Sequence, residues 1–104
     1  MPDPNPTPPP ALAHDDMCFL LGEPMRWRIV RELAKGEALP VQELARRTGR
    51  SPSLISKHVA ALRAHGVAVV GYGRLYSLAP AFRPSPDGRT IDFGHAVMKL
   101  DMPL

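Results

Sequence analysis

A chain of 104 residues with a formal net charge of +3 makes one small domain with little core to spare, which leaves no room for a large enzyme pocket. Its one cysteine, Cys18, excludes an intrachain disulfide, and no apolar run approaches the length of a membrane span. The opening MPDPNPTPPP has neither the basic start nor the apolar run of a signal peptide, so a soluble cytoplasmic protein is expected.

The net charge hides an asymmetry. Between Pro24 and Leu78, ten Lys or Arg face only Glu32, Glu37 and Glu43, so the middle carries +7 and the flanks −4. A basic middle with acidic ends fits an anionic partner such as nucleic acid, or else it is simply a solvated face.

Residues 1–12 read as a Pro-rich disordered tail with almost nothing to bury. Asp15 or Asp16 can cap a short helix through Leu21, with apolar surface from Met17, Phe19, Leu20 and Leu21, and Gly22 breaks it. Pro24 suits the first position of a second helix. There Met25, Ile29 and Leu33, and again Trp27, Val30 and Ala34, recur at helical spacing up to Gly36, and Trp27 is expected in the core or a helix interface. The third helix is short, with Val41, Leu44 and Ala45 on one side and Glu43, Arg46 and Arg47 on others, and Thr48-Gly49 ends it.

The fourth helix is SPSLISKHVAALRAHG, Ser51 to Gly66. Ser51 is a natural N-cap, Pro52 fits the next position, and Gly66 terminates. Its inner stripe is Ile55, Val59 and Leu62. After Gly66 the period changes: VAVVGYGRLYSLA is β-branched and aromatic, reading as two short strands around Gly71-Tyr72-Gly73, with Tyr76 and Leu78 turned inward. Helices two to four followed by this hairpin, with only TGRS between the third and fourth, predict a winged helix-turn-helix over residues 13–80. The fold class is therefore mainly α with a small β-hairpin. A linker is expected over 81–89, then an atypical C-terminal segment over 90–104 with a packing or dimerisation role. In that segment Phe93, Ala96, Val97 and Leu100 fit one helix face, but Ile91 with Phe93 and Met98 with Leu100 alternate as strands across a kink at Gly94. The interior glycine and the preceding Asp-Gly turn favour strand.

The segment from Leu21 to Leu78 resembles the ArsR/SmtB family of bacterial winged-helix repressors. The resemblance rests on the Pro-x-Arg-x-x-Ile run from Pro24 to Val30, Glu-Leu-Ala at Glu43 to Ala45, the Ser-x-Ser-x-hydrophobic-Ser-basic-His pattern of Ser51 to His58, and Leu-Arg-x-x-Gly at Leu62 to Gly66. It implies a transcriptional repressor that binds double-stranded DNA as a homodimer, with the fourth helix in the major groove. The residue pattern agrees. With the apolar stripe inward, Ser53, Leu54, Ser56, Lys57 and Ala60 face out, and small hydroxyls with a lysine at a helix front suit base edges and phosphate. The candidate DNA contacts are Arg50, Ser51, Ser53, Leu54, Ser56, Lys57 and His58 on and before this helix, and Tyr72 and Arg74 on the wing. Arg46 and Arg47 complete the set, either as phosphate clamps or as an exposed helix face. Ser51 reads first as a cap.

The family usually follows the wing with a long helix that joins the subunits, whereas here APAFRPSPDGRT intervenes, and its prolines break any continuous helix. The expectation is that 90–104, with Met17 to Leu21, takes over that role and pairs an exposed edge between subunits, or else only covers its own core. The resemblance also raises metal sensing, but PVQELARRTG carries no Cys or His. His14 and Cys18, four apart, can share a face, yet two ligands are too few without a dimer partner. Cys18 otherwise reads as a small buried hydrophobe or an oxidation sensor. No cofactor and no metal are expected. Catalysis is not expected either: His58 and His65 have no carboxylate at helical spacing, and there is no Gly-rich phosphate loop or nucleophile constellation. The rival reading is a winged helix used as a protein-interaction module without its own operator.

Overall fold

A computed structural model describes residues 12–104. Four helices lead into two antiparallel hairpins, and the first three helices reflect local signals read above with some corrections. Helix α1 (His14–Leu21) starts from Ala13 with no side-chain cap. Asp15 and Asp16, expected as caps, instead occupy its first turn, where carboxylates still favour the positive helix end. Helix α2 (Pro24–Leu33) is capped by Glu23, whose Oε2 accepts the Arg26 N–H at 3.0 Å. It buries Met25, Ile29, Val30 and Leu33. Trp27 is half-buried and meets Phe93 edge-on, ring centroids 6.4 Å apart. Helix α3 (Val41–Thr48) buries Leu44 and Ala45 and stops at Gly49, whose φ of 70° is the left-handed conformation that favours glycine.

Helix α4 (Pro52–Ala64) has Ser51 as its N-cap and buries Ile55, Val59 and Leu62, the stripe that the sequence predicts. Strands β1 (Ala68–Gly71) and β2 (Leu75–Leu78) pair from Ala68 opposite Leu78 to Gly71 opposite Leu75. Leu39, before α3, adds a one-residue bridge to this hairpin: its N–H and C=O exchange hydrogen bonds with Tyr76, both 2.8 Å. The wing is thereby tied to the start of the helix-turn-helix. Four helices and this hairpin form a winged helix-turn-helix fold.

The C-terminal segment is strand, not helix. Strands β3 (Thr90–Asp92) and β4 (Val97–Lys99) pair antiparallel with Ile91 opposite Met98, turning around Gly94. Residues 81–89, expected as a linker, belong partly to the core: a single 3₁₀ turn, Pro80–Phe82, buries Phe82 against Phe93 in a stack with centroids 5.5 Å apart. Ile91 and Phe93 are wholly buried, and Arg31 of α2 donates to the carbonyls of Leu100 at 2.8 Å and Met102 at 2.5 Å. The hairpin therefore covers its own core. Leu12, expected within the tail, is also buried, and its N–H donates to the Phe93 carbonyl at 3.3 Å. The rest of that tail lies outside the described residues. Each large apolar side chain in this core contributes about 1.5–3 kcal/mol by leaving water. Among the described residues no helix is long and apolar enough to cross a membrane.

Candidate nucleic-acid interface

The presentation of α4 follows from how its front end is fixed. Gly49 turns the chain, the Arg50 N–H returns to the Ala45 carbonyl at 3.1 Å, and the Ser51 hydroxyl accepts the Leu54 N–H at 3.3 Å. Ser51 and Ser53 hydroxyls lie 3.4 Å apart, so Ser51 acts first as a cap. With Ile55, Val59 and Leu62 sealed inward, Arg50, Ser53, Leu54, Ser56, Lys57 and Ala60 are all exposed. Arg50 and Lys57 enter none of the ion pairs among the described residues, and their charges are available to an anion.

Between this helix and the wing runs an open groove of about 620 Å³, lined among others by Gln42, Ser56, Ala60, Arg74 and Tyr76. Arg74 sits at φ 59°, the one non-glycine residue with positive φ among the described residues, next to Gly73 at φ 78°. The Arg74 N–H closes the turn on the Gly71 carbonyl at 3.1 Å. Tyr72 at the tip is fully exposed. Gln42 is a groove residue absent from the sequence-based set. Its signal was available: it lies four residues before Arg46 and so shares that residue's helix face.

Three candidates sit differently from the rest. His58 is half-buried: the Arg26 guanidinium donates to its Nδ1 at 3.3 Å, and its Nε2 lies 3.8 Å from Glu23 Oε2. Arg26 also donates to the carbonyls of Leu20 at 2.8 Å and Phe19 at 2.6 Å, so His58 ties α4 to the α1–α2 junction. That is a positioning role. His65 likewise meets Asp16 of α1 at 3.6 Å, so both histidines have carboxylate partners, supplied by tertiary contact and not by helical spacing. Arg46 and Arg47 both bond Glu43, Arg46 through Nε at 2.9 Å and Nη2 at 2.5 Å, Arg47 through Nε at 2.9 Å. Hydrogen bonds from Arg46 first, then from Arg47, lower the Glu43 carboxyl from 4.5 to about 2. Arg47 is held further by Glu32 at 3.5 Å and Glu37 at 3.4 Å.

Cys18 is exposed, not buried as one reading had it, with its Sγ 3.8 Å from His14 Nε2. No group of three or more metal-ligating side chains occurs among the described residues. No curated protein and no solved structure matches the chain. Residues 21–70, from the end of α1 into β1 and just under half of the chain, match the family model described as a helix-turn-helix domain, in agreement with the fold of that stretch.

Proposed function

We propose that this protein is a sequence-specific, double-stranded DNA-binding transcriptional regulator of the ArsR type, acting as a repressor and as a homodimer, with α4 in the major groove. The observation that carries the reading is the outer face of α4, where Ser53, Leu54, Ser56 and Lys57 are exposed together beside an open groove that Arg74 also lines. A helix of this width with hydroxyls and a lysine at its front matches a major groove in size and chemistry, and the wing arginine reaches toward the flanking backbone or minor groove. The matched helix-turn-helix family includes ArsR-type regulators, which supports the finer kinship suggested by the Ser51 to His58 pattern.

The contacts divide by role. Ser53, Leu54 and Ser56 meet base edges, Lys57 meets guanine or a phosphate, and Arg50, Tyr72 and Arg74 meet phosphate and sugar. Ser51 holds the helix front and His58 sets its angle. The test is selection of bound fragments from a genomic duplex pool, followed by anisotropy titration of the enriched site. Wild type is expected to prefer that site over scrambled duplex. Unchanged binding by an Arg50→Ala/Ser56→Ala/Lys57→Ala variant that remains folded by circular dichroism would overturn the placement of α4.

A further inference from the structure

Arg46 follows Gln42 by four residues on α3, and residues four apart share a helix face. Gln42 lines the groove between α4 and the wing, so Arg46 stands on the same side, with its side chain 71% exposed. This cation is nonetheless occupied. Its Nε donates to Glu43 Oε2 and its Nη2 to Oε1, a fork that engages both carboxylate oxygens, the geometry with which arginine also grips a phosphate. Arg47 leans on the same carboxylate but has Glu32 and Glu37 as well, whereas Glu43 is the only acid that Arg46 contacts among the described residues.

Resting on the DNA-binding reading above, we propose that Glu43 acts as a built-in phosphate mimic that keeps Arg46 from the DNA backbone and so holds down sequence-independent affinity. Any phosphate that takes Arg46 must first displace this carboxylate, which stays ionised at every ordinary pH because the two guanidiniums lower it to about 2. The exchange of one anion for another on an exposed guanidinium yields little net gain. Base contacts from α4 are untouched by it. Glu43 thus sets the ratio of specific to non-specific binding, the quantity that matters against a large excess of random sites.

The test is the salt dependence of binding to a scrambled duplex, measured by anisotropy for wild type, Glu43→Gln, Arg46→Ala and Glu43→Gln/Arg46→Ala. Glu43→Gln keeps the side-chain shape and frees the guanidinium. It is expected to bind scrambled duplex several-fold tighter, with a log–log salt slope steeper by about 0.9, so that its advantage shrinks roughly threefold between about 50 and 200 mM salt. The double variant is expected to return to the wild-type slope. Arg46→Ala alone, an exposed change that leaves the core intact, is expected to keep both wild-type affinity and slope for scrambled duplex. A Glu43→Gln slope equal to that of wild type, or an Arg46→Ala slope shallower by about 0.9, would overturn the proposal while leaving DNA binding itself standing. A wild type that binds neither the enriched site nor scrambled duplex would overturn both.

Discussion

Lys57 is the side chain whose environment leaves it most open to DNA: it is exposed, on the outer face of α4, and in no ion pair with a described residue. Its two possible contacts have different signatures. If it meets phosphate, Lys57→Ala weakens binding to every sequence and lowers the salt slope by about 0.9; if it meets guanine, the loss is about 1–3 kcal/mol at one base position. Anisotropy titrations on the enriched site and its single-base variants, at several salt concentrations, separate the two, and an unchanged affinity on all of them would remove Lys57 from the interface. Glu43 makes a prediction of another kind. Its carboxyl ionises at about 2 in the folded protein, held there by Arg46 and Arg47, against an ordinary 4.5. Between these values the unfolded chain binds the extra proton, so the stabilisation is complete above 4.5 and is lost as pH falls toward about 2. Thermal melts from about pH 5 down to pH 2.5 should therefore show a shallower decline for Glu43→Gln than for wild type, and parallel declines would show that the fork adds nothing to stability.

At the scale of elements, the wing turn isolates charge from conformation. Arg74 holds a left-handed backbone at φ 59°, which asparagine adopts more readily than most residues. Arg74→Asn is expected to leave the melting temperature at or above that of wild type while weakening DNA binding and reducing the salt slope by about 0.9. A weaker complex with an unchanged slope would mean that Arg74 shapes the wing without touching phosphate. The elements that the sequence predicted well are those written in local signals: Pro24 and Ser51 at helix starts, Gly49 at a helix end, and the Ile55, Val59, Leu62 stripe. Their causes lie within a turn or two of chain. The features that escaped depend on distant chain. The Leu39 bridge to Tyr76 involves one residue and leaves no periodic trace, and Phe82 is buried where it stacks on Phe93, eleven residues on. His58 reads as a helix-front residue in its own sequence, whereas its partners, Glu23 and Arg26, lie more than thirty residues earlier. The candidate residues on α4 and the wing were legible for the same reason, as was the Glu43 pairing with Arg46 and Arg47 at spacings of three and four, whereas the hold of Glu32 and Glu37 on Arg47 comes from chain ten or more residues away.

For the whole molecule, the open matter is how two copies would meet when the C-terminal chain forms a hairpin instead of a long helix. Phe82, Ile91 and Phe93 are buried, so removing everything after Ala81 would strip the core of two stacked aromatic rings, each worth about 3–5 kcal/mol on truncation to alanine. Such a truncation would confuse assembly with folding. A cleaner probe is Val97 on β4, an apolar side chain 59% exposed in a two-stranded sheet whose outer edges have no strand partner among the described residues. The hairpin turn also approaches α1, with the rings of His14 and His95 in edge contact at 5.5 Å, so the two segments expected to take the place of the usual dimer helix are neighbours. If β4 pairs antiparallel across a two-fold axis at its centre, position 97 lies opposite position 99 of the other copy, a lysine, and like charges there oppose association. Val97→Lys is expected to keep the wild-type melting temperature at low protein concentration, to sediment as a monomer where wild type sediments as a dimer, and to lose affinity for a two-half-site operator more than for a single half-site. A Val97→Lys protein that remains a dimer with full operator affinity would show that this hairpin serves its own subunit alone, and that two-fold pairing must run through another surface.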